Sequence, residues 1–313
     1  MNSNDLKIKE QLNLAIESHK NKKFQLAEKL YKQILISNEN HLEANFQLGT
    51  LYSQLQNFQL AKPLLARAHK LSPKNPNINL HIGNLFLSTG DPSEALNYFE
   101  KVIQVQPNFA LAHFNKGITL YNQKKYQDAV RCLERVIEIE PNNINAFNAL
   151  GFIFQEVGEF KKSLAYLKKS LNIAPNNQRV VNTLLNLLKF IELSNISESN
   201  SSDLTDLFLF LFKKDSIDHN ALFNNTKNLI FFEETRDIVQ QIIVKDELLL
   251  NNNLVKKTIK NKLFHLTLQK ALFRDKFLEK FLCYIRKEFL FLIKNKNRNK
   301  SLIKEFIDFI ISF

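Results

Sequence analysis

Apolar and polar residues in the first half of the chain follow the period of short amphipathic helices. Leu48, Gly49 and Tyr52 fall at i, i+1 and i+4, on one side of a helix. Ile82, Gly83 and Phe86 repeat the arrangement, and so do Leu150, Gly151 and Phe154. A second apolar segment follows each first one: Ala27 with Tyr31 and Ala95 with Phe99 are spaced i and i+4 on one face. Asp91-Pro92 reads as a helix start, with proline in the first turn where its missing N–H is harmless. The pattern predicts pairs of helices joined by short turns.

The pairs recur at one fixed spacing. Gly49, Gly83, Gly117 and Gly151 are each 34 residues apart, as are Ala27, Ala61, Ala95 and Ala129. Pro73, Pro107, Pro141 and Pro175 keep the same interval and close each second helix. Glycine inside a helix costs about 1 kcal/mol relative to alanine. Its recurrence therefore predicts a neighbouring helix so close that a side chain would block it.

These positions resemble the tetratricopeptide repeat, a 34-residue helix–turn–helix unit. Five copies span residues 8–177, at 8–41, 42–75, 76–109, 110–143 and 144–177, and the third is the best match. The first copy has Ala15 for the glycine and Glu39 for the closing proline; the last has Ser163 for alanine. The family's tryptophan is absent, its place taken by Gln11, Asn45, Asn79, His113 and Phe147. The resemblance implies an all-α, right-handed superhelical solenoid, in which each unit buries its apolar side against the next. Val181, Leu184, Leu185, Leu187, Leu188 and Ile191 predict a capping helix over 178–193. A polar linker at 194–202 follows, and 203–313 reads as a C-terminal α-helical region.

The resemblance further implies a concave wall built from the first helices, where the family binds extended peptides. The helix face opposite Leu48, Gly49 and Tyr52 carries Gln47 and Thr50, flanked by Glu43 and Gln54. Its equivalents are Asn77, His81 and Asn84 in the third copy, Leu111, Asn115, Ile118 and Asn122 in the fourth, and Phe152 in the fifth. Asn13, Gln47, His81 and Asn115 form a polar ladder, broken at Ala149. Amides suit the alternating N–H and C=O groups of an extended backbone. The same residues also fit a merely solvated face in an asparagine-rich chain, and both readings stand. Only Lys9 and Lys20 would add positive charge to this wall, which argues against capture of a C-terminal carboxylate.

Composition narrows the chemistry. The 313 residues are 44% hydrophobic and 24% charged, with 6 glycines and 7 prolines. None of either lies beyond Pro175, so 176–313 cannot hold a phosphate-cradling or dinucleotide loop that needs glycine. The seven histidines include no pair at i, i+3 or i, i+4, and Cys132 and Cys283 lie far apart in sequence, so neither a metal nor a cofactor is expected. The net charge of +12 is concentrated at one end: 251–313 hold 15 basic and 5 acidic residues, against 5 and 10 in 194–250. Phe273, Phe277, Phe281 and Tyr284 make an aromatic stripe read as packing, and nucleic acid is disfavoured as a partner. No leader-like start and no membrane-length apolar run is visible, so a cytoplasmic chain is expected.

A second resemblance covers 266–293, with Leu272, Phe273, Arg274, Asp275, Leu278, Glu279, Leu282, Ile285, Arg286, Phe289 and Leu290. It is similar to the helical segment that precedes the catalytic domain in bacterial tetratricopeptide methyltransferases, and it implies that the chain stops where such an enzyme would begin. The expected function is a non-enzymatic protein-interaction scaffold for a protein or peptide partner, with oligomeric state left open. The alternative is a non-catalytic relative of such a methyltransferase that presents substrate to a separate transferase.

Overall fold

The computed structural model describes residues 3–190, together with Leu207, Phe208, Leu211, Ile285 and Lys287. Ten helices form five consecutive hairpins: α1 (Ser3–Lys20) with α2 (Phe24–Ser37), α3 (Leu42–Gln54) with α4 (Phe58–Leu71), α5 (Pro76–Ser88) with α6 (Pro92–Val105), α7 (Ala110–Asn122) with α8 (Tyr126–Ile139), and α9 (Ile144–Glu156) with α10 (Phe160–Ile173). From α3 onward the first helices begin 34 residues apart, and the second helices do so from α2 onward. No strand occurs among the described residues. The chain divides into two compact units, 1–177 and 178–313. The first is an all-α solenoid of stacked hairpins. The second contains α11 (Gln178–Phe190), which buries Val180, Val181, Leu184 and Leu187. The expected linker, the region 203–313 and the 266–293 segment lie outside the described residues, apart from those five positions.

Four of the five hairpins close on a glycine, and the first has Ala15 in its place. A Cβ built on Gly49, Gly83, Gly117 or Gly151 would stand 2.8, 2.5, 3.0 or 2.6 Å from Leu65, Phe99, Leu133 or Leu167 of the same hairpin's second helix. Those four side chains are fully buried, as are Ala61, Ala95 and Ala129 one turn earlier on the same helices. The neighbouring helix that the glycine pattern implied is thus the hairpin's own partner. In the last hairpin Ser163 occupies the alanine position, and its buried hydroxyl donates to the Gly151 carbonyl at 2.6 Å. A polar atom in this tight contact is tolerated because it is bonded.

The turn inside every hairpin is the same. Lys22, Gln56, Gly90, Lys124 and Gly158, again 34 residues apart, take φ of 58°, 57°, 85°, 60° and 78°. The next amide reaches back to the first helix in each: Lys23, Asn57, Asp91, Lys125 and Glu159 donate to Ser18, Tyr52, Phe86, Leu120 and Phe154 at 2.8–2.9 Å. This is the left-handed helix termination known as the Schellman motif. Three of the five positions hold it without glycine, at a cost of about 1 kcal/mol or more each.

Successive hairpins are tied at the missing tryptophan. Asn45 Nδ2 donates to the Glu39 carbonyl at 2.8 Å, Asn79 Nδ2 to the Pro73 carbonyl at 2.8 Å, and His113 Nε2 to the Pro107 carbonyl at 2.9 Å. A buried amide, or in the fourth hairpin the half-buried imidazole of His113, thereby fixes the turn that leads out of the preceding second helix. At the start of the unit the stacking positions change character. Glu10 and Glu17 are exposed where Ala44 and Leu51, Ile78 and Leu85, Ala112 and Thr119, and Ala146 and Ile153 are buried.

Two substitution series test this geometry by urea unfolding followed through tyrosine fluorescence, since six of the seven tyrosines precede residue 178. Alanine gains about 1 kcal/mol of helix propensity, and overpacking a rigid core costs about 1–3 kcal/mol. Gly83→Ala, against the buried Phe99 ring, should destabilise by about 1–2 kcal/mol, whereas the roomier Gly117→Ala should stay within about 0.5 kcal/mol of wild type. Gln56→Gly should stabilise by about 0.5–1 kcal/mol through relief at the turn. Equal effects at Gly83 and Gly117, or loss of stability in Gln56→Gly, would contradict the packing described.

Candidate functional site

Within unit 1, first helices of successive hairpins touch one another at three junctions, α1 with α3, α3 with α5 and α7 with α9. Each first helix also presents a face away from its own hairpin partner. Those faces hold the residues singled out from the sequence, but not all on equal terms. Asn77 and Asn122 are exposed; Gln47, His81, Asn84, Asn115 and Ile118 are half-buried; Phe152 is exposed. Thr50 is not open: only 6% of it reaches solvent and its hydroxyl is covered. It stands between Gly49 and Leu51, both buried, and the packed flank of α3 extends round to include it. Thr50 drops out of the wall.

The polar ladder is knitted sideways. Asn115 Nδ2 donates to Asn84 Oδ1 at 2.9 Å, which joins α7 to α5 across two hairpins. Asn84 keeps both its N–H groups and Asn115 one N–H and its carbonyl oxygen for another partner. Gln47 Nε2 donates to Glu43 Oε1 at 2.7 Å, and the His81 ring meets Phe46 edge-on with centroids 5.1 Å apart. Burial holds the His81 imidazole below its ordinary pKa, because desolvation disfavours the charged form. A neutral imidazole offers one donor and one acceptor, as an amide does.

Beside the amides lies an apolar stretch. Leu111 is 50% exposed and Phe152 39% exposed, with Ile118 between them in the repeat pattern. Phe152 is steadied by an edge-on contact with Tyr121, centroids 5.8 Å apart. The repeat pattern gives Tyr121 no role of its own, although it follows Ile118 by three residues on the same helix face. On the first hairpin, His19 Nε2 lies 2.9 Å from Gln54 Oε1, a further tie between neighbouring first helices. No Asp, Glu, Lys or Arg stands at the wall positions of α5 and α7.

Among the described residues no group of three histidine, cysteine or carboxylate side chains could hold a metal ion. Cys132 is half-buried, and burial pushes its thiol above the ordinary value, away from the reactive thiolate. No helix among the described residues is long and apolar enough to cross a membrane.

Models of the tetratricopeptide repeat match residues 54–113, 110–143 and 144–177. Residues 54–177 of the N-terminal unit thus carry tetratricopeptide repeats, a fold that supports protein interaction in general. A lipoprotein NlpI homolog of Haemophilus influenzae is 30% identical over 91 residues, a match spanning 29% of this chain and 29% of that protein. Among solved structures, MamA 41-end from Desulfovibrio magneticus RS-1 superposes with a TM-score of 0.51 at 19% identity, covering 55% of this chain and 97% of that one. The APC/C hetero-tetramer Cut9-Hcn1 gives 0.51 at 19% identity, covering 57% of this chain and 36% of that one. These two likenesses concern the fold alone.

The lowered pKa of His81 has a measurable sign. A base whose folded pKa lies below its unfolded value of about 6.5 leaves stability intact above that pH. Stability then declines as pH falls through about 6.5 toward the folded value, and levels off beneath it. Unfolding free energies measured at about pH 5 and about pH 8 should differ less in His81→Gln than in wild type. An unchanged difference would mean that His81 is not desolvated on this wall.

Proposed function

We propose that the first-helix wall binds an extended, largely uncharged segment of a partner protein. The observation that carries this reading is the adjacency of two kinds of surface on one wall. The amides of Asn77, Asn84, Asn115 and Asn122, with neutral His81, suit a peptide main chain, and Leu111, Ile118 and Phe152 suit its apolar side chains. The order of the surfaces sets a register: main-chain recognition over α5 and α7, side-chain burial over α7 and α9. Exposed apolar side chains grouped beside polar ones are characteristic of interaction surfaces. The neutral α5–α7 stretch favours recognition by hydrogen bonds and shape over charge steering, so affinity should depend weakly on salt.

A photocrosslinker separates this wall from the rest of the unit. p-Benzoylphenylalanine placed at Asn122 should crosslink partner-derived peptides in cell extract. Placed at Gln127, which is exposed on α8, it should give none. Leu111→Ser combined with Phe152→Ser should lower capture at Asn122 at least tenfold. Because both side chains are substantially exposed, stability should change by less than about 1 kcal/mol. Equal crosslinking from the two positions, or full capture by the double variant, would refute the reading.

A further inference from the structure

The 34-residue pattern breaks at one junction, between the second and third hairpins. Lys32, Glu100 and Glu134 occupy the same position on the second helices of the first, third and fourth hairpins. Each reaches the next hairpin: Lys32, paired with Glu28 on its own helix, stands 5.9 Å from the centroid of the Tyr52 ring, Glu100 pairs with Lys116, and Glu134 accepts from the Tyr166 hydroxyl. In the second hairpin that position is Ala66, which reaches nothing. Beside it lies a cavity of about 480 Å³, lined largely by Phe58, Ala66, Ile82, Leu85, Phe86 and Tyr98. The volume lies within the range of sites that take small ligands or single side chains. The cavity is formed by α4, α6 and the packed flank of α5, and shares no residue with the first-helix wall.

The charge at this junction is also inverted. Four residues earlier on the second helices, the first hairpin has Glu28, whose carboxylate pairs with Lys32 and accepts from the Tyr52 hydroxyl at 2.7 Å. These contacts hold Glu28 below the usual carboxylate range, the Lys32 hydrogen bond foremost. The second hairpin has Lys62 there, the one charged residue in the cavity lining. Its ammonium stands 5.8 Å from the centroid of Phe86, which stacks on Tyr98 at 5.6 Å and 21°. On Tyr98 lies a second ammonium, that of Lys101, 4.2 Å from the ring centroid. Two cations thus flank one aromatic pair, and neither is ion-paired with a carboxylate among the described residues. Glu94 lies near enough to help burial raise the Tyr98 pKa, but it bridges neither lysine.

We infer that this cavity takes a leucine or phenylalanine side chain of an acidic peptide, with carboxylates on either side of it meeting Lys62 and Lys101. The junction lacks the two things its neighbours supply from within, a side chain over the groove and a carboxylate beside the cation. A peptide of this kind brings both. Cation–π contacts hold the two lysines in place beforehand, so less side-chain freedom is lost on binding.

The test uses the full chain and two fluorescein-labelled hexapeptides, Ser-Glu-Leu-Phe-Glu-Ser and Ser-Lys-Leu-Phe-Lys-Ser, read by anisotropy. The acidic peptide should bind at least tenfold more tightly than the basic one. Ala66→Glu, which installs the residue found at this position in α6 and α8, should weaken acidic-peptide binding at least tenfold. Lys62→Glu should weaken it about three- to tenfold. Both sites are exposed, so both variants should keep the wild-type circular dichroism melt. Undiminished affinity in either variant would place the peptide elsewhere, for instance on the basic residues of 251–313, and would overturn the proposal. Equal affinity for the two peptides would overturn it too, as would a dimer of the wild-type chain that Ala66→Glu abolishes, since a second copy would then be the occupant.

Discussion

The contact on which the solenoid depends is the one between a backbone without a side chain and a large buried one. At Gly49, Gly83, Gly117 and Gly151 the first helix of a hairpin comes so near to Leu65, Phe99, Leu133 or Leu167 that a methyl group would have to displace them. That approach sets the spacing within those four hairpins. It also leaves the other sides of both helices for the next hairpin, which buries Ala44, Ile78, Ala112 and Ala146 in turn. A stack of this kind gains stability through nearest-neighbour interfaces, because no hairpin can cover its own apolar side. The polar Glu10 and Glu17 on the first hairpin follow the same logic in reverse: those positions face solvent.

Much of this architecture is written in residue spacing. The glycine, alanine and proline series locate the hairpins to within a few residues, because each type answers a steric demand that nothing else satisfies as well. Other features were hidden for definite reasons. The left-handed turn recurs at Lys22, Gln56, Gly90, Lys124 and Gly158, but only two of these are glycine, so the rest leave no compositional trace. Asn45 and Asn79 read as departures from the family's tryptophan, yet they hold the inter-hairpin turns through bonds to carbonyls six residues back. Such bonds cannot be seen until the turn itself is placed.

The candidate wall was legible as a helix face, but not in its depth. A helical wheel puts Thr50 beside Gln47, and only the neighbouring packing shows that it is covered. It also keeps Asn84 and Asn115 apart, where the structure joins them across two hairpins. The Ala66 vacancy was invisible for a different cause: alanine on an exposed helix position signals nothing until its counterparts Lys32, Glu100 and Glu134 are seen meeting Tyr52, Lys116 and Tyr166 of the next hairpin. Departures from a repeat carry information about individual junctions that the repeat itself averages away. Function on a solenoid is built from such departures, since the shared positions are occupied with stacking.

The glycine contact can be observed directly. Nuclear Overhauser spectroscopy on isotope-labelled protein should show strong cross-peaks between the Gly83 Hα protons and the Phe99 ring, and between the Gly151 Hα protons and the Leu167 methyls. Absence of both sets, with those side chains instead showing contacts only to their own helix, would mean that the hairpins do not close at their glycines.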